Sequence, residues 1–571
     1  MKNLFSNIKG DAFGGITAGI VALPLALAFG VSSGLGPSAG LYGAIFISFF
    51  AALFGGTSTQ ISGPTAPMTA VSMVIIAGII AANDGDVSKA LPAILTVFLL
   101  AGLFQIGLGL IGLGKYIRYI PYPVVSGFMT AIGVIILLTQ VLPSLGYYPK
   151  EDIEFVQQFK PQAEEVILEN ILKEEAGEGI LVLENFKETI SRAEKITPEN
   201  ILKESQTLAA KETSGALGAI KAFPRAIQNI NFLELMLALG TIIIIYGFKR
   251  ITTKIPSTLV ALIVMSGIAV GFSLDYRTIQ EIPSGIPMIK WEIFSDFSLS
   301  SITPYIFTAL TLSLLGAIDS LLTSVVADNM TKTKHKPNKE LVGQGIGNSI
   351  AALFGGIPGA GATIRTVVNI NAGGKTKLSG MISGVMLLVI MLGLGPVASK
   401  IPAAVLAGIL ITVGIGVMDY KGLKAIPSLP KDIKLGPIKL SSEVLIMLVV
   451  LVLSTFWNLV YAVGIGLVIA SLMFMKKIGD LTAERSDVKS LKEEAWADEK
   501  DFPKNLIEEV FIKHIKGPLF FGSTSDFQAL SQQIPDTAKT VIMRLGRMQY
   551  MDQSGLYAME DMLQSLKTKN V

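Results

Sequence analysis

The sequence predicts an all-α polytopic membrane domain of about fourteen segments, arranged as two inverted seven-segment repeats and followed by a small α/β domain. Three observations carry that prediction. First, 51% of the 571 residues are hydrophobic and only 16% are charged, and the apolar residues gather in runs of roughly 20, the length that crosses a hydrocarbon core. Second, Ala51-Ala52-Leu53-Phe54-Gly55-Gly56 recurs letter for letter as Ala351-Ala352-Leu353-Phe354-Gly355-Gly356. Third, the composition changes after Lys477 to a charged stretch followed by short strand-like runs.

The apolar runs begin near Phe13, Gly40, Met68, Ala90, Val124, Phe232, Ser257, Phe307, Leu341, Thr366, Leu378, Ala404, Val444 and Val460. The segments around 60–80 and 355–372 are interrupted by Gly, Pro, Ser and Thr. A second match supports the repeat: Ile120-Pro121, Val124, Gly127 and Gly133 align with Ile401-Pro402, Val405, Gly408 and Gly414. In both halves the Gly-Gly element precedes the Ile-Pro element, so about seven segments lie in each repeat, and an odd number inverts the second copy. The expected ranges are a cytoplasmic N-terminus at 1–11 and a transport domain at 12–477. Within the latter, repeat 1 covers about 12–147, an external helical insert about 148–230, and repeat 2 about 302–477. A linker at 478–501 and an α/β domain at 502–571 complete the chain.

Loop charge sets the orientation. With the N-terminus inside, Lys115 and Arg118, Lys249, Arg250 and Lys254, the Lys332–Lys339 loop, Lys375 and Lys377, Lys421 to Lys434, and Lys476 and Lys477 all fall on the cytoplasmic side, as the positive-inside rule requires. This predicts a multi-pass protein of the plasma (inner) membrane with both termini cytoplasmic. The insert carries Glu169-Asn170-Ile171-Leu172-Lys173-Glu174 and again Glu199-Asn200-Ile201-Leu202-Lys203-Glu204, a pattern of amphipathic helices.

Composition also excludes. The chain has no cysteine, which removes disulfides, thiol catalysis and cysteine metal sites. Its two histidines, His335 and His514, are too few for a histidine metal site. A net charge of +3 gives no reason to expect a nucleic-acid partner. No nucleophile–base constellation appears, so no enzyme activity and no cofactor is expected. No cleavage pattern follows Met1–Asp11, so the first apolar run is read as a retained helix.

The candidate transport site lies between Leu315 and Arg365. Asp319 stands inside an apolar run, and Arg365 follows the Gly/Ala-rich break Gly355 to Thr363. Ionisable residues at membrane depth face cavities, pair with each other and mark ion or substrate paths. Asp319 and Thr323, four apart, share a helix face, and a carboxylate with a hydroxyl suits a hard cation such as sodium. Asp319 is read as a coupling-ion or proton site, or as a structural partner of a basic residue. In the repeats Thr57–Pro67 matches Ile357–Val367, so Ser62-Gly63-Pro64-Thr65 and Gly361-Ala362-Thr363-Ile364-Arg365 each lead into an apolar helix. Two half-helix N-termini meeting at the midplane attract an anion. Thr65 and Arg365 hold the same repeat position. Arg365 either faces the anion, snorkels or neutralises Asp319; Thr65, Thr69 and Thr363 either cap helices or touch ligand.

These residues resemble the sulfate permease (SulP) family of anion transporters along nearly the whole chain, and within it the cyanobacterial-type sodium-dependent bicarbonate transporters. The resemblance is carried by Gly10–Gly15 with Ala22–Gly30, by Ser62-Gly63-Pro64-Thr65, by Ile318–Asp328 and by Gly343-Gln344-Gly345-Ile346-Gly347-Asn348. It implies core and gate subdomains, an elevator movement and a homodimer. It implies sodium at Asp319, Thr323, Gly361 and Thr363, with anion near Thr65, Ala66, Thr69 and Ala362. It also implies a cytoplasmic STAS domain from Phe502, on Gly517-Pro518-Leu519-Phe520-Phe521-Gly522 and Met551-Asp552-Gln553-Ser554-Gly555-Leu556. Ser554 falls where related anti-sigma antagonists are phosphorylated, with a helix N-cap as its alternative role. Full STAS domains usually extend beyond the point corresponding to Val571, so a minimal or cut domain is expected. Arg365 matches the wider family better than the bicarbonate type. Sodium-coupled bicarbonate uptake therefore leads, with a proton-coupled sulfate or dicarboxylate transporter and an anion channel as alternatives.

Overall fold

The computed structural model describes residues 4–83, 87–117, 121–167, 197–252, 255–279, 282, 285–294, 303–428, 433–435, 438–457, 459–484, 488–490, 510–516, 518–519, 534, 538–548, 550–551 and 553–571. Its membrane helices start within a few residues of the predicted runs. They are α1 (Ile8–Ser33), α2 (Pro37–Phe54), α3 (Ala66–Ala82), α4 (Val87–Ile111) and α5 (Tyr122–Ser144). The insert supplies α6 (Pro198–Glu212) and α7 (Gly215–Gln228), after which come α8 (Phe232–Ile251) and α9 (Ser257–Gly271). The second half holds α10 (Ile306–Thr331), α11 (Pro337–Leu353), α12 (Thr363–Asn371), α13 (Lys377–Ala398), α14 (Ala403–Val417), α15 (Ser442–Phe456) and α16 (Leu459–Glu484). Two placements add detail to the expected ranges. α8 and α9 fall between the stretches assigned to the two repeats. And α1 begins at Ile8 rather than after a polar tail.

That early start has a physical cause. Asp11 is fully buried: Oδ1 accepts the Lys375 and Thr376 amides at 2.7 and 2.9 Å, and Oδ2 accepts the Thr376 hydroxyl at 2.6 Å. A carboxylate binding free amides next to a helix start is favourable, so the polar residues before Phe13 tie α1 to the turn between α12 and α13.

The helices sort into two packing groups. In one, α11 packs on α4 and α2, α13 on α1 and α2, and α10 on α4. In the other, α14 packs on α5 and α8, and α8 on α9. Small residues let the backbones approach, as in membrane helix pairs generally. A Cβ on Gly43 would stand 2.4 Å from Ile357 O, and one on Gly343 would stand 2.3 Å from Gly55 N. Each α2-type helix therefore presses a glycine against the Gly-Gly break of the opposite repeat.

The compact C-terminal unit includes Gly464–Val571. A strand at Val488–Ser490 pairs antiparallel with Val510–Lys516, which pairs in parallel with Thr540–Arg547. The range expected to be linker thus contains the end of α16 and a strand. Helix α17 (Gln553–Thr568) buries Ala558, Met559, Met562 and Leu566 with Ile515 and Leu519. Ser554 is the second residue of α17 and not its cap; its side chain lies outside the described residues. The first Glu-Asn-Ile-Leu-Lys-Glu copy, 169–174, and most of 517–522 lie outside them too. The second copy belongs to α6.

Candidate anion and cation site

The site is built where two broken helices cross. Strands β1 (Ser62–Gly63) and β2 (Ala360–Gly361) are two residues each and run antiparallel, with Ser62 opposite Gly361 and Gly63 opposite Ala360. α3 starts three residues after β1 and α12 two residues after β2. The sequence breaks here because Gly and Pro interrupt the apolar run, and the freed backbone groups must then find partners within the protein. They do. Ala362 donates its amide to Ile61 O at 2.8 Å, and the Ile61 amide reaches Thr366 Oγ1 at 3.0 Å. Asn348 bonds both the carbonyl and the amide of Gly359, at 3.0 and 2.9 Å.

The opposite face of the crossing is α10. Asp319 Oδ2 accepts the Thr65 hydroxyl at 2.8 Å. Thr323 Oγ1 lies 2.9 Å from Gly361 O and 2.8 Å from Thr363 Oγ1. Ser320, between them, accepts the Gly361 amide at 3.1 Å. The four residues expected at a cation, Asp319, Thr323, Gly361 and Thr363, are therefore brought to one strip of α10, the end of β2 and the start of α12. Thr65 stands at the N-cap of α3, but its hydroxyl makes no cap bond, so the capping reading fails in favour of a link to Asp319. Thr363 is the first residue of α12 and spends its hydroxyl on Thr323.

Arg365 is 2% exposed and donates from Nη2 to Pro64 O at 2.5 Å. It lies against Gly63, where a Cβ would meet Nη1 at 2.7 Å. The expectation that it snorkels is corrected, because it is buried; its hydrogen bond goes to the backbone just before α3, and its charge still acts on the buried Asp319 carboxylate. Ala66 and Ala362 are buried beside the two helix starts. Thr69, in the first turn of α3, has a buried hydroxyl with no partner among the described residues. It lines a void of about 10 Å³ with Ala66, Ala70 and Ile135, which is about the size that holds one water.

Sequence reasoning missed Glu340. It is 1% exposed and all its acceptor capacity is used. Oε2 takes the Gly56 and Thr57 amides at 2.7 and 2.8 Å, and Oε1 takes Gln60 and Gln344 Nε2 at 2.9 Å each. Gln60 in turn accepts from Ser324 at 2.8 Å, and Gln344 donates to Ser62 at 2.5 Å. The signal was present, because a carboxylate heading an apolar run is as informative as one within it; proximity to the basic loop at 332–339 concealed it.

Residues 8–172 and 199–432 match the sulfate permease family, and residues 502–571 match the STAS domain. Among similar proteins is the bicarbonate transporter BicA of Synechocystis sp., 37% identical over 91% of this chain and 79% of that protein. BicA of Picosynechococcus sp. is 35% identical over 99% of this chain and 88% of its own length. The solved transmembrane domain of a cyanobacterial BicA superposes with a TM-score of 0.61 at 39% identity, covering 82% of this chain and 98% of that one. SLC26A9, at 18% identity and TM-score 0.71 over 99% of this chain and 84% of that one, supports the fold alone. Together with the crossed half-helices, these likenesses place the chain in the sulfate permease family of membrane anion transporters, with a STAS domain at its C-terminal end.

Proposed function

We propose that this chain takes up bicarbonate coupled to sodium. The observation that carries the reading is the Thr65–Asp319 hydrogen bond, which joins the start of α3 to the acidic strip of α10. The amide ends of α3 and α12 favour an anion, while the Asp319 carboxylate, the Thr323 hydroxyl and the Gly361 carbonyl favour a small hard cation. A cation bound on one side of the Thr65–Asp319 link strengthens anion binding on the other, and the coupling is reciprocal. The likeness to proteins named as bicarbonate transporters supports that substrate. The group containing α1, α2, α4, α10, α11 and α13 carries the site and moves as an elevator past the group containing α5, α8, α9 and α14. The protein works as a homodimer in the plasma (inner) membrane with both termini cytoplasmic, an orientation that the lysine-rich loops support. Uptake of labelled bicarbonate into vesicles, with and without an imposed sodium gradient, tests this; equal rates count against sodium coupling.

A second reading rests on Arg365. A buried fixed cation beside the anion position favours a more anionic substrate, namely sulfate or a dicarboxylate, with Asp319 carrying a proton instead of holding sodium. Under that reading Asp319→Asn abolishes proton-driven uptake, and competition by sulfate exceeds competition by bicarbonate.

A further inference from the structure

Two voids meet at one side chain. The void of about 10 Å³ beneath Thr69 is followed, toward the insert, by a cavity of about 240 Å³ whose walls include Tyr147 and Thr213. Both are lined by Ser32, Met73, Thr139, Gln140 and Leu410, so these five residues form a neck between the start of α3 and the insert. Met73 and Leu410 are apolar. The two hydroxyls are spent on their own helices: Ser32 donates to Phe29 O at 3.2 Å, and Thr139 donates to Ile135 O at 2.9 Å. Gln140 differs from all four. It stands in the last turns of α5 and is 7% exposed. Its amide makes no hydrogen bond among the described residues, yet neither amide atom is sealed off from accessible space. Of the five, it alone brings a free donor to the neck. A polar group held in so narrow a space is costly unless something there completes it.

We infer that Gln140 is a specificity-determining residue, the contact that α5 offers to the transported anion on its way to α3. A planar amide presents N–H donors and a carbonyl acceptor side by side. Nε2 donates to a charged oxygen, and Oε1 accepts from an O–H. Bicarbonate carries both an anionic oxygen and a hydroxyl, whereas nitrate has the same charge and planarity but no hydrogen. A site that hydrogen-bonds a substrate O–H discriminates against the analogue that lacks it, because its own polar atom is then left unpaired. The neck needs no basic side chain, since the anion passes through it and rests further in. There the start of α3 and the Arg365 guanidinium on Pro64 O supply positive potential. The inference rests on reading the chain as a bicarbonate transporter, and it adds a selecting contact outside the crossing.

Gln140→Met nearly keeps the volume and removes donor and acceptor together. The full-length variant and the parent are placed in liposomes at one fixed sodium concentration. Initial uptake of labelled bicarbonate is titrated, with nitrate as the competitor, and melting temperatures are recorded alongside. The half-saturating bicarbonate concentration should rise about fivefold or more, and the preference for bicarbonate over nitrate should fall about threefold or more, the effect of one lost hydrogen bond. The melting temperature should stay at the parent value. A variant that leaves either transport quantity unchanged overturns the inference, even where thermal stability falls. Should Gln140→Met not fold, Gln140→Glu decides. It keeps the size but replaces the donor with a negative charge, so uptake should fall about tenfold or more; uptake at the parent level overturns the inference. The underlying reading fails separately. A parent with equal rates with and without sodium loses the coupling alone, and a parent that takes up no bicarbonate loses the functional reading and this inference with it.

Discussion

The Thr65 hydroxyl donates to Asp319 Oδ2 at 2.8 Å, joining residues 254 positions apart. This bond ties a helix that begins at the crossing to a helix that spans past it. It is charge-assisted and buried, and bonds of that kind contribute about 1.5–3 kcal/mol. Thr65→Val keeps the shape and removes the donor. If the proposed sodium and bicarbonate pockets share this link, Thr65→Val loses roughly tenfold or more in apparent affinity for both. Initial uptake rates titrated in each ligand check this; a change in one affinity alone separates the pockets.

Arg365 gives a different prediction. Its guanidinium holds the Pro64 carbonyl while lying fully inside the protein. Arg365→Gln removes a charge as well as a donor, and truncating a buried charged group typically costs about 3–5 kcal/mol when partners are stranded. Arg365→Lys keeps the charge but not the planar fork. The melting temperature of purified protein therefore falls in both variants. Anion competition profiles should move toward less charged substrates only in Arg365→Gln.

Glu340 positions the loop between α2 and β1. Glu340→Ala strands the Gly56 and Thr57 amides together with Gln60 and Gln344, and each buried group left unpaired costs about 1–3 kcal/mol. Little folded protein is expected, whereas Glu340→Gln keeps part of the network and should recover some of it. Size-exclusion profiles in detergent, together with melting temperatures, rank the three.

The insert is held by a pair outside the membrane segments. Arg225 Nε and Nη2 bind the two Asp152 oxygens at 2.5 and 2.9 Å, and these bonds hold the Asp152 carboxyl down to about 2, from 3.8. A depressed carboxylate contributes stability that is complete above its unfolded value and is lost as pH falls through the folded one. This brace within the insert is therefore flat from about pH 5 to 9 and weakens only between about pH 4 and 2. Asp152→Asn mimics the loss at neutral pH and costs about 1–2 kcal/mol after allowance for partial exposure. Faster hydrogen exchange in α7 at pH 7 is the readout.

Much of this was legible in the sequence. Runs of about 20 apolar residues fix helices because bilayer thickness fixes their length, and the repeated Ala-Ala-Leu-Phe-Gly-Gly located both breaks. Asp319 and Arg365 stood out because charge in an apolar run is rare. What each side chain bonds to was not legible. Thr65 and Arg365 share a repeat position, but one bonds α10 and the other Pro64 O, because the sequences around the two breaks differ. Glu340 and Asp11 looked like loop charges, and only tertiary contact shows that they bind amides across hundreds of residues.

The tightest test of the crossing is Gly359. A Cβ there would lie 2.1 Å from Gly63 O, 2.2 Å from Gly63 C and 2.6 Å from Pro64 N. All three are backbone atoms of β1 and the residue after it, and none can rotate away as a side-chain end could. Gly359→Ala therefore forces the two strands apart and breaks the Ser62–Gly361 register on which both helix starts depend. Overpacking of this kind costs about 1–3 kcal/mol even where the neighbours yield, and here they cannot yield without moving Thr65 away from Asp319. Gly78→Ala serves as the control, since nothing lies within 4 Å of its added methyl. Gly359→Ala should lose uptake and thermal stability together, while Gly78→Ala behaves as the parent. Normal transport by Gly359→Ala would mean that the two strands do not touch in the working protein.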